Sequence, residues 1–214
     1  MRYCGLLTLV EAFNAPQKCV GWEGVSQATV LTLFLEHRTR VDNWDLIDAS
    51  VGTILGGSLL SEEYVASLSA FVADVDSDSS LGDIAKAVTT HLPSFYTSLI
   101  NSHDFWEIRM SVVCLQKLIK NGHLDVSLLL LQHQLYRRLE NGYHMTIHGT
   151  EFKDLDLVNK ALGWMLRESG RVNREKLVRY LDQHVHVCSK TTVRYATEHF
   201  EKAVSARYVS MCGE

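Results

Sequence analysis

Apolar residues recur at three- and four-residue spacing along almost the whole chain, which predicts amphipathic helices rather than strands. Leu6, Leu7, Leu9 and Val10 give a first helix over Met1–Phe13, broken at Asn14-Ala15-Pro16. Val25, Ala28, Leu31 and Leu35 give a second from about Glu23 to His37. A third opens in the stretch Val41–Asp48 and is expected to end near Gly56-Gly57. Ser61, followed by Glu62 and Glu63, has the character of a cap at the start of a fourth. Further helices are predicted over about 82–100, 104–120, 124–140, 154–169, 173–184 and 190–205. Asn121-Gly122, Asn141-Gly142 and Ser169-Gly170 serve as their C-terminal stops. Residues 74–80 are short, polar and acidic, hence a flexible surface loop. Tyr143 to Phe152 is the least regular part, and no stretch reads convincingly as a strand.

These elements predict an all-α protein. Helices paired every ~35–45 residues suit an α-solenoid of HEAT-like antiparallel pairs, curved so that the second helices line a concave binding surface. Residues 1–205 are read as one such domain, with 206–214 as a C-terminal tail.

Composition adds constraints. The chain has 214 residues, 46% hydrophobic and 21% charged, with only two prolines, as expected of an ordinary globular protein. No apolar run is long enough to span a bilayer, and the start lacks a signal-peptide pattern. Five scattered cysteines without a Cys-x-x-Cys pair indicate neither a disulfide framework nor a cysteine zinc site, and fit an intracellular protein. The net charge of −4 divides into −7 over residues 1–100 and +3 over 101–214. An acidic chain is a poor general nucleic-acid binder, but its basic half leaves room for a local phosphate-facing surface.

Trp44 and Asp48 lie four apart, one turn on the same helix face. A π surface beside a carboxylate can receive a flat cation; a capped helix with a half-buried Trp and a solvated Asp explains the same pattern. His144/His148 and His184/His186 lack the Glu or Cys partners of a zinc site, so no metal is expected. No glycine-rich phosphate loop or Gly-x-Ser-x-Gly elbow is present, which argues against a nucleotide hydrolase or acyl transferase.

Two further stretches change the balance. Asp104-Phe105-Trp106-Glu107-Ile108-Arg109-Met110 opens one helix, and Lys160-Ala161-Leu162-Gly163-Trp164-Met165-Leu166-Arg167-Glu168 runs along another. With Asn43–Asp48, and with Ser189-Lys190-Thr191-Thr192-Val193-Arg194-Tyr195-Ala196 near the end, they resemble the AlkD-type DNA alkylation repair glycosylases from Met1 to about Phe200. The resemblance implies excision of N3- and N7-alkylated purines from double-stranded DNA. It also implies monofunctional hydrolysis without a base-flipping pocket, and a monomer that needs no cofactor is expected. It implies that Trp44 and Trp164 embrace the damaged nucleotide, that Asp48 is the catalytic carboxylate, and that Arg109 holds a DNA phosphate. Arg167, Lys190 and Arg194 are added as candidate backbone contacts. Phe105 and Trp106 are read as core, and Arg167-Glu168 reads equally as a solvated pair.

The chemistry agrees with the residues. An alkylated purine is already cationic and leaves without strong acid catalysis, so what needs stabilising is the positive charge that builds on the sugar. A carboxylate does that and can position a water. The chain departs from the family in starting without the usual leading helices, as though shortened at its N-terminus, and in its acidic loop. A non-catalytic HEAT-like module that binds DNA or a protein partner is the alternative reading.

Overall fold

The computed structural model describes residues 2–19, 21, 24–141, 145–147, 150–152 and 156–213. The expected helical periodicity is realised as α1 (Arg2–Asn14), α2 (Gln27–Glu36), α3 (Trp44–Leu59), α4 (Val65–Asp74), α5 (Leu81–His91) and α6 (Ser94–Ile100). There follow α7 (Phe105–Val113), α8 (Leu115–Lys120), α9 (Leu124–Asn141), α10 (Asp156–Val172), α11 (Arg174–His184), α12 (Lys190–Ala196) and α13 (Lys202–Ser210). Side-chain caps fix several starts: Ser26, Ser80, Asp104, Asn173 and Ser189 each accept a first-turn backbone N–H, the donors a helix cannot satisfy internally.

The departures from the predicted pattern have physical causes. The helix expected over 82–100 is two, because Pro93 offers no N–H and holds Leu92 extended at ψ 150°. The segment 104–120 likewise turns at Cys114. Ser61 does not cap α4; its hydroxyl is enclosed without a partner among the described residues, and the helix begins only at Val65. One short antiparallel hairpin, β1 (Met145–Ile147) with β2 (Thr150–Phe152), pairs Thr146 with Glu151 where no strand was expected. Three-residue strands are too short to show alternation. The segment 190–205 breaks after Ala196, and residues expected to form a tail are largely α13. There Tyr208 is buried and donates to Asp182 Oδ1 at 2.7 Å.

Two of the glycine pairs expected to stop helices lie inside them. A Cβ on Gly56 would sit 2.5 Å from the carbonyl oxygen of Cys114, and one on Gly57 2.7 Å from the Phe13 ring. These residues let α8 and α1 approach α3, which continues to Leu59. Gly170 likewise lies against Leu177, and α10 runs on to Val172. Gly122 behaves as a true stop: its φ is +90°, and His123 N–H returns to Leu118 O at 3.0 Å.

The core runs continuously from Phe13 through Ile47, Ile54, Leu99, Ile108, Leu130 and Leu162 to Tyr208. Two helices organise it. The first, α3, packs on α1, α2, α7 and α8; the second, α10, packs on α7, α8, α9, α11 and α12. Because α7 touches both, residues from α3 and α10 meet across it. No described helix is long and apolar enough to cross a membrane.

Candidate nucleotide-facing cleft

At that meeting point Trp44, Asp48, Arg109, Leu157, Lys160, Trp164, Arg167 and Tyr195 line one open cleft of ≈ 430 Å³. Trp44 stands in the first turn of α3, 52% exposed, and Asp48 follows one turn later on the same side. On α10, Lys160, Trp164 and Arg167 recur at four- and three-residue intervals and so share a face. Tyr195 comes from α12, 37% exposed. Its position follows from Gly163, where an added Cβ would lie 2.5 Å from both Thr192 O and Tyr195 Cβ. Any larger residue there would hold α12 away from α10.

The charged centre is Arg109 on Asp48. Arg109 Nη2 donates to Asp48 Oδ1 and Oδ2 at 2.8 and 2.9 Å, and Nη1 donates to the carbonyl of Leu157 at the start of α10. Only 4% of Arg109 is exposed, and its Nε is enclosed without a partner among the described residues. The guanidinium therefore ties α3 to α10 through α7 while forming part of the cleft lining. Burial is the dominant influence on the Asp48 carboxyl and raises its pKa above the ordinary 3.8; Arg109 pulls the other way and Asp45 adds a smaller upward push.

The remaining cations are also engaged. Arg167 Nη1 donates to Glu198 beyond α12, and Lys160 pairs with Asp156 one turn earlier. Glu168, 6% exposed, receives Arg171 at 2.9 Å, so Arg167-Glu168 is not a solvated pair. Lys190 and Arg194 lie exposed on α12, with Cys212 close enough to feel both charges, and neither lines the cleft. Phe105 is buried, while Trp106 is half-buried with its indole N–H unpartnered among the described residues. Among the described residues no three His, Cys, Asp or Glu side chains are grouped to hold a metal; His144 and His148 lie outside them.

Sequence reasoning brought together Trp44, Asp48, Arg109, Trp164 and Arg167, and overlooked Lys160, Leu157 and Tyr195 as lining residues. Lys160 could have been found, since it lies one turn before Trp164. Tyr195 could be placed only by knowing where α12 packs.

A family model described as DNA alkylation repair enzyme matches residues 71–200. Arg109, Trp164, Arg167, Lys190, Arg194 and Tyr195 fall within that match; Trp44 and Asp48 precede it and join the others through the fold. No curated protein and no solved structure matches the chain. The chain belongs to the DNA alkylation repair enzyme family.

Proposed function

We propose that the protein is an AlkD-type, monofunctional DNA glycosylase that hydrolyses the N-glycosidic bond of cationic N3- or N7-alkylated purines in duplex DNA. The observation that carries this reading is the convergence of Trp44, Asp48 and Trp164 on one cleft from helices far apart in sequence. A further part of the proposal is that the helices form a HEAT-like solenoid acting as a monomer. Its support is that consecutive helices pack on each other, α1 on α2, α4 on α5, α6 on α7, α8 on α9, α10 on α11 and α12 on α13. The substrate would place the protein inside the cell, with DNA.

In this mechanism the C1′–N bond breaks with its electron pair leaving on the base, which departs neutral because it began as a cation. The sugar is left oxocarbenium-like, and Asp48 stabilises that charge through space. Water adds to C1′ and its proton passes to Asp48, leaving an abasic site. Trp44 and Trp164 contribute cation–π attraction of ~0.5–2 kcal/mol each. Arg109 is assigned as the residue that orients Asp48. Phosphate contacts fall instead to Arg167 and, on the flank, Lys190 and Arg194, whose side chains reach the surface. No step requires a metal or organic cofactor.

Release of 7-methylguanine from methylated duplex DNA tests the reading, with wild type and Asp48→Asn assayed together. The amide keeps an oxygen to accept from Arg109, so the variant should fold. Release by the wild type and its loss in the variant is the expected result. No release by a folded wild-type protein leaves only a non-catalytic binding module.

A further inference from the structure

The cleft presents a puzzle of charge. Three cations line it, yet the proposed base arrives positively charged. Each of the three already faces a carboxylate: Arg109 faces Asp48, Lys160 faces Asp156 and Arg167 faces Glu198. The lining is therefore closer to neutral than its cation count implies. What can attract a flat cation is then the aromatic surface, and that surface is larger than the two tryptophans.

Tyr195 forms part of the same lining. Over a third of its surface is exposed, so the ring is not buried as core. Its Cβ rests against the bare backbone of Gly163, one residue before Trp164. That close approach fixes the root of the side chain beside Trp164, and so holds one aromatic at a defined place relative to the other. Its hydroxyl has no hydrogen-bond partner among the described residues. Neither core packing nor a hydroxyl contact explains an aromatic side chain at this position.

We infer that Tyr195 supplies a third aromatic wall of the cleft and determines its preference for a positively charged base over a neutral one of the same shape. This rests on the glycosylase reading for the identity of the base, though not for its test. A ring face attracts a cation through its quadrupole, which an aliphatic side chain of similar size lacks. Tyr195→Leu removes the quadrupole and keeps an apolar side chain, and Tyr195→Phe keeps the ring and removes only the hydroxyl.

The experiment measures binding to two duplexes, each with one modified base on a 2′-fluoro sugar that slows cleavage. One carries 7-methylguanine, which is cationic, and the other 7-methyl-7-deazaguanine, its neutral isostere. Wild type should prefer the cation. Tyr195→Leu should lose roughly two- to thirty-fold of that preference, and Tyr195→Phe should retain it. An unchanged preference in the leucine variant overturns the inference. So does an equal loss in the phenylalanine variant, which would assign the hydroxyl instead, or the absence of any preference in the wild type. A wild type that prefers the cation but releases no 7-methylguanine from ordinary methylated DNA would remove the enzyme reading and leave Tyr195 in place.

Discussion

Glu198, on the turn after α12, holds the guanidinium of Arg167 at the mouth of the cleft. The glutamate is 53% exposed, and an exposed pair of this kind contributes little to stability, ~1 kcal/mol or less. Its consequence lies in binding. A DNA phosphate can take Arg167 only by displacing a carboxylate that then remains nearby and repels the duplex. Glu198→Gln should therefore tighten duplex binding at low salt and leave the melting temperature almost unchanged. The slope of log K against log salt should steepen by up to about one unit, the increment for one more neutralised phosphate. Anisotropy titrations over a range of salt read both effects, and an unchanged affinity would mean Arg167 does not meet phosphate.

The pairing of Arg109 with Asp48 makes a pH prediction. The Asp48 carboxyl already lies above its ordinary pKa through burial, and Arg109 is the group that lowers it. Activity that needs the carboxylate falls as pH drops through that pKa, so the acid limb of the rate profile should lie above pH 3.8. Arg109→Ala should move the limb to higher pH, because the lowering influence is gone while desolvation remains. Arg109→Lys restores a charge but not the fork that reaches Asp48 and Leu157 together, and should move it back only in part. Single-turnover rates across pH distinguish this role from direct phosphate contact, which would change DNA affinity without moving the limb.

Gly163 should be intolerant of a side chain. A Cβ there meets Thr192 O and Tyr195 Cβ at 2.5 Å, and neither atom is the free end of a flexible group. Gly163→Ala should cost on the order of 1–3 kcal/mol by forcing α10 and α12 apart. Gly52 provides the control, since its nearest neighbour is a Gln116 side-chain oxygen at 3.8 Å. Gly52→Ala should be neutral or stabilising by ~0.5–1 kcal/mol through helix propensity. Urea midpoints of the two variants compare them directly.

These contacts also show how far the sequence could be read. Helices are legible because burial on one face repeats every turn, and Trp44 with Asp48 is legible because four residues make a turn. The partner of Asp48 is not, since Arg109 lies 61 positions away and meets it only through packing of α3 against α7. Glycine misleads for a related reason. The missing Cβ suits both a helix stop and a close helix contact, so Gly122 and Gly56 carry the same letter for opposite purposes. Pro93 shows a different limit: its missing N–H marks a break between α5 and α6, but the apolar rhythm on either side runs across it unchanged.

Acid should weaken the fold through two histidines remote from Asp48 in chemistry and in sign. His133 is buried beside Arg137 and His184 is buried against Tyr136 and Tyr180; burial first, then Arg137 for His133 and His186 for His184, lowers each pKa to about 4. In the unfolded chain a histidine takes its proton near 6.5. Between about pH 6.5 and pH 4 the unfolded state therefore binds more protons, so stability is full above that window and is lost as pH falls through it. A lowering of this size for His133 corresponds to about 3 kcal/mol at most. Asp48, whose pKa is raised, works in the opposite direction: its protonation on acidification favours the folded state. Urea midpoints at pH 7.5 and pH 5 should therefore fall with acid in the wild type and fall less in His133→Gln and in His184→Gln. An equal fall in all three would place the acid sensitivity elsewhere.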